Sequence, residues 1–138
     1  RQLSDIAVKA LSPGINDPTT AVICIDRLGE ALVQAGQFRC DTAYQEVSDG
    51  RGGIRRTSIG FTDIVEESLP QIRHYAAGDV VVVRHLLDVL QQVAAELDDD
   101  GVAVLAHQAR LAVEEAVVTL AVEADREQIR AASRWAIE

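Results

Sequence analysis

Apolar side chains recur every three or four positions through most of this chain, and the pattern lapses where helix-ending residues stand. Leu3, Ile6, Ala7, Ala10 and Leu11 share one face of a first helix, which Pro13-Gly14 ends. Asp17 then offers a capping carboxylate, and Pro18 fits the first helical position, where a missing N–H does no harm. Val22, Ile25, Gly29 and Leu32, flanked by Ala21, Leu28 and Ala35, form the inward face of this second helix, which stops at Gly36. A third helix is expected from Thr62 as cap through Ala77, with Phe61 as a staple and a kink at Pro70, which lacks the donor that closes a helical turn. Asp79 opens a fourth helix that buries Val83, Leu86, Leu90, Val93 and Leu97.

The fifth helix, 102–122, carries two apolar stripes. Leu105, Ala109, Ala112, Ala116 and Leu120 form one, and Val104, Leu111, Val118 and Val122 form the other. A helix apolar on two sides is either central in its bundle or shared with a partner, so this one is the expected surface of a homo-oligomer. Asp125 and Gln128 resemble a capping box for a last short helix with Ile129, Ala132, Trp135 and Ala136. Between the second and third helices the helical period disappears. Two short stretches, 42–47 and 54–59, flank the turn-rich cluster Ser48-Asp49-Gly50-Arg51-Gly52-Gly53, and the pattern predicts a small β-hairpin over 42–59. The expected fold is therefore all-α, a five- to six-helix bundle in a single domain over 1–138, with a hairpin inserted.

Composition narrows this picture. The chain has 138 residues, 48% of them hydrophobic but only 4% aromatic, so its core is built from Ala, Val, Leu and Ile, as helix-on-helix packing favours. A net charge of −9 repels phosphate backbones and argues against a nucleic-acid partner. Cys24 and Cys40 make no CxxC and no metal spacing, which suits a reducing, cytoplasmic compartment. No apolar run reaches the roughly 20 residues of a membrane span. The chain opens inside a helical pattern without an initiator Met, and is expected to be a fragment of a larger protein.

Candidate chemistry is sparse. His74, His85 and His107 lie on separate helices without HxxxH or HExxH spacing, and surface or half-buried polar roles suit them better than metal ligation. Glu96, Asp98, Asp100 and Gly101 imitate the opening of a calcium loop, but its twelfth position is His107, so Asp100 is expected to cap the fifth helix. No phosphate loop, no G-x-S-x-G elbow and no other catalytic constellation is present; neither a catalytic residue nor a cofactor is expected. Arg39, Arg51, Arg55 and Arg56 make the hairpin region locally basic, which suits an edge protected from aggregation better than an anionic lipid contact.

The one loop that invites a ligand is 12–20. It gathers Ser12, Asn16, Thr19 and Thr20 beside the free donors of a helix N-terminus, a natural small-anion site. A tight turn in which Asp17 serves only as a cap explains the same residues, and the Asp17 charge opposes an anion. If the third helix packs against this loop, Arg73 joins the site, with Asp5 as a further polar group.

The same stretch carries a family resemblance. Arg1-Gln2-Leu3 and Asp5-Ile6-Ala7, the run from Lys9 to Ala21 through Ser12-Pro13-Gly14-Ile15-Asn16-Asp17-Pro18-Thr19-Thr20, and Ile25-Asp26-Arg27-Leu28 resemble the domain-of-unknown-function 2254 family of predicted bacterial membrane proteins. Gln71-Ile72-Arg73 followed by Tyr75-Ala76-Ala77-Gly78 is similar to a second segment of that family, and the match loosens after about residue 98. The resemblance implies transmembrane helices preceding this chain, in the bacterial inner membrane, with the chain as a carboxy-terminal soluble part. It implies no activity. Three expectations follow: a self-associating interaction or regulatory module, a sensor of a small unidentified ligand (or a catalyst) at the Ser12 to Thr20 loop, or the gating domain of a transporter or channel.

Overall fold

The computed structural model describes residues 1–37 and 59–137. Among them it contains helices only: α1 (Gln2–Leu11), α2 (Pro18–Gln37), α3 (Phe61–Ser68), α4 (Pro70–Ala76), α5 (Val80–Ala94), α6 (Asp99–Thr119) and α7 (Glu123–Ala132), closed by a 3-10 turn at Arg134–Ala136. The all-α expectation holds for these residues. The hairpin expected over 42–59 is not seen: 42–58 lie outside the described residues, and Ile59 belongs to no strand.

Side-chain caps set two helix starts where the sequence places them. The Asp17 carboxylate accepts the Thr20 N–H at 3.1 Å at the head of α2, and Asp79 accepts the N–H groups of Val81 and Val82 at 2.9 and 3.2 Å at the head of α5. Three other starts slide. The third helix begins at Phe61 because Asp63 reaches back to the Gly60 N–H at 2.8 Å, which leaves Thr62 inside the first turn. At α6 the cap is Asp98, which accepts the Gly101 N–H at 3.0 Å; Asp100, expected there, lies in the first turn instead. The last helix begins at Glu123 with no side-chain cap, ahead of the expected Asp125.

Pro70 divides one expected helix into α3 and α4. It supplies no N–H to the carbonyl four residues earlier, and Ser68 Oγ donates to the Ile64 carbonyl at 2.7 Å beside the break.

The core is aliphatic, as the composition dictates. Ile25, Leu28 and Leu32 of α2 meet Leu86, Leu87, Leu90 and Val93 of α5, with Leu105, Ala109, Ala112 and Ala116 of α6 and Ile129 of α7 completing it. Helix α5 is the hub: it packs against α2, α4, α6 and α7, and only one side of it is left open. Helix α2 crosses α5 where Gly29 removes a side chain; a Cβ there would stand 2.5 Å from Val89 Cγ1.

Candidate functional site

The loop joining α1 to α2 is held by its own backbone. Ile15 and Asn16 donate their N–H groups to the Ser12 carbonyl at 3.0 and 2.9 Å, and Asp17 N–H donates to the Ala10 carbonyl at 2.8 Å. Ser12 Oγ donates to the Lys9 carbonyl at 2.7 Å. This reversal needs a left-handed residue, and Asn16 supplies it at φ 47°, a region Asn tolerates better than most side chains. Asn16 and Thr19 are exposed, and Ser12, Asp17 and Thr20 are half-buried.

At the N-terminus of α2 the Asp17 carboxylate takes the position that a bound anion would occupy. It accepts the Thr20 N–H and the Thr20 hydroxyl, and these bonds, the hydroxyl first, hold its pKa below the usual carboxylate value. Any anion arriving here meets a fixed negative charge.

Arg73 is engaged elsewhere. From α4 its Nε donates to Glu115 Oε1 at 2.7 Å and its guanidinium also donates to Gln108 Oε1, both on α6. Gln108 is buried, and Arg73 is only 13% exposed, so this polar cluster seals an otherwise apolar α4–α6 seam. Ser12, Asn16, Asp17, Thr19 and Thr20 are brought together by the loop; Arg73 shares no bond with them among the described residues.

A second polar contact joins α2 to α5. His85 Nε2 lies 2.6 Å from Asp26 Oδ1, and since an ionised carboxylate only accepts, the ring N–H donates. Next to it, Ile23, Gly29, Val33, Val89 and Val93 line an open hollow of about 610 Å³ between the two helices, edged by Asp26, Glu30 and Glu96. Arg27 on this rim is bound by both oxygens of Glu30 at 3.0 Å. Among the described residues no group of three or more His, Cys, Asp or Glu side chains could hold a metal. Cys24 is buried on the inner side of α2, and burial pushes its thiol pKa up, away from nucleophilic use.

Neither the contacts of Arg73 with Gln108 and Glu115 nor the Asp26–His85 contact was singled out by the sequence. Only a buried Gln among alanines on the inner side of α6 hints at one of these contacts.

The sequence also has relatives. The family described as a predicted membrane protein of unknown function, DUF2254, matches residues 1–92. The chain belongs to that family. The matched region takes in the α1–α2 loop, Asp26 and His85, and Arg73, but not Gln108 or Glu115 on α6. Uncharacterized proteins of Mycobacterium bovis and Mycobacterium tuberculosis are each 30% identical to it over 141 residues, covering 100% of this chain and 27% of their own length. This DUF2254 chain thus spans about a quarter of the length of the curated relatives it matches. No solved structure matches it. No helix among the described residues is long and apolar enough to cross a membrane.

Proposed function

We propose that this chain is a non-catalytic helical module of a longer membrane protein, on the cytoplasmic side of the bacterial inner membrane, and that it associates with further copies through α6. One observation carries the proposal. The first apolar stripe of α6 is consumed by the core, whereas the second is only partly covered, with Val118 85% exposed and Val104 and Leu111 half-buried. Helix α6 ends at Thr119, so Val122, expected in this stripe, lies beyond the helix in extended backbone. Apolar side chains aligned along one side of a helix in this way are the usual mark of a protein surface that meets another. Helix α6 is also well anchored, since it rests on α3, α4, α5 and α7 at once.

A binding role for the α1–α2 loop has less support. Its donors are turned to its own backbone, and the Asp17 carboxylate already fills the helix N-terminus.

Light scattering on the chain at high micromolar concentration tests the proposal. An oligomer that a Val118→Asp substitution dissociates is the expected result, and a monomer overturns it. Membrane side is tested separately, by cysteine labelling of the full-length protein from each face.

A further inference from the structure

Val104, Leu111 and Val118 stand seven residues apart on α6. Positions so spaced return to nearly the same side of a helix, drifting about 20° at each step, so the three form one straight row about 21 Å long. His107 and Glu114, both exposed, fill the turns between them. The row is close to symmetric about Leu111. Val104 and Val118 lie at equal distances on either side, and His107 and Glu114 lie one turn before and one turn after.

This symmetry distinguishes two ways of laying a second copy on the row. In parallel, each residue meets itself: His107 faces His107, and Glu114 faces Glu114, two carboxylates of like charge. In antiparallel array about a twofold axis at Leu111, Val104 packs on the partner's Val118 at both ends, Leu111 packs on its equivalent, and His107 faces the partner's Glu114. That second arrangement is self-complementary in shape, sets an imidazole N–H donor against a carboxylate acceptor and keeps the two Glu114 carboxylates apart, matched on both sides as an isologous contact must be. An anionic membrane surface suits the row poorly, because Glu114 and Glu115 border it in a chain of net charge −9.

We propose that α6 pairs with α6 of a second copy in antiparallel orientation, centred on Leu111, with the His107 side chain against the partner's Glu114. The pairing rests on the self-association proposed above and adds its geometry.

Disulfide trapping tests it in a Cys24→Ala, Cys40→Ser background whose helix content is checked by circular dichroism. Val104→Cys and Val118→Cys proteins are oxidised singly and as a mixture, after light scattering has established the mass of each. The expected result is a dimer that cross-links efficiently in the mixture, through one residue of each kind, and not in either protein alone. Cross-linking of Val118→Cys with itself overturns the antiparallel orientation while self-association through α6 stands. A dimer that cross-links in none of the three samples overturns the α6 contact altogether. A monomer overturns self-association and the pairing with it.

Discussion

Arg73 Nε lies 2.7 Å from Glu115 Oε1, and this bond joins α4 to α6 across 42 residues of sequence. It is sheltered: Arg73 is 13% exposed and Glu115 32%, and buried Gln108 accepts from the same guanidinium. Removing the cation leaves a half-buried carboxylate and a buried amide oxygen without their donor. Arg73→Ala is expected to lower unfolding free energy by about 2–3 kcal/mol. Arg73→Lys should recover little of that loss, because one ammonium group does not span both acceptors as the planar guanidinium does. Urea unfolding followed by circular dichroism measures both; a Lys variant as stable as the parent would show that charge alone matters.

The α2–α5 crossing gives a prediction of opposite sign to helix propensity. Alanine is favoured over glycine inside a helix by about 1 kcal/mol. At Gly29, however, the new methyl carbon would stand 2.5 Å from Val89 Cγ1, on a stiff β-branched side chain. Gly29→Ala is therefore expected to destabilise by about 1–2 kcal/mol net, as overpacked cores do. A stabilised Gly29→Ala protein would mean that the two helices separate at no cost.

Asp17 predicts a pH dependence. Its pKa in the folded chain is depressed, first by the Thr20 hydroxyl and then by the Thr20 N–H, so the folded state favours the ionised form. The stability this confers is complete above the unfolded-state pKa, near 3.8, and is lost as pH falls through the lower folded value. Asp17→Asn, which still caps, should melt close to the parent at pH 7 and show a flatter loss of stability below pH 4. Asp17→Ala should melt lower at every pH. Thermal unfolding from pH 2 to 7 reads all three proteins.

Burial should silence Cys24. In a Cys40→Ser background, a thiol reagent is expected to leave the folded chain unmodified at pH 7.5 and to label it rapidly in 6 M guanidinium. Labelling at the same rate in both conditions would show that the inner side of α2 is open to solvent.

Local signals in the sequence carried much of the helical architecture but few of its contacts. Asp17 before Pro18, and Asp79 after Gly78, stand alone as capping candidates, and both helices start there. Where several acids crowd together, the start slipped by two residues: Asp98, Asp99 and Asp100 are chemically equal, and the packing of Leu97 against Gly101 favours the first. Pro70 announced its break, since a missing N–H is a property of one residue. The pairs Arg73–Glu115 and Asp26–His85 were illegible, because residues 42 and 59 positions apart meet only through the crossing of whole helices, which no local period encodes. The α1–α2 loop was legible as a turn, and its residues do assemble; placing Arg73 beside them depended on a tertiary contact, and that residue bonds to α6 instead.

An aliphatic core also determines how the molecule can be watched. Trp135 is the only tryptophan, half-buried in the final 3-10 turn, and that turn is fastened to α6 by Arg110, whose guanidinium donates to the Ala136 carbonyl at 2.7 Å. Its indole emission is therefore a gauge of one latch at the end of the chain, and fraying of that latch shifts the spectrum while the leucines and valines of α2, α5 and α6 stay packed. Fluorescence and circular dichroism melting curves that fail to overlay would separate release of the tail from collapse of the bundle, and an Arg110→Ala substitution should widen the gap between them.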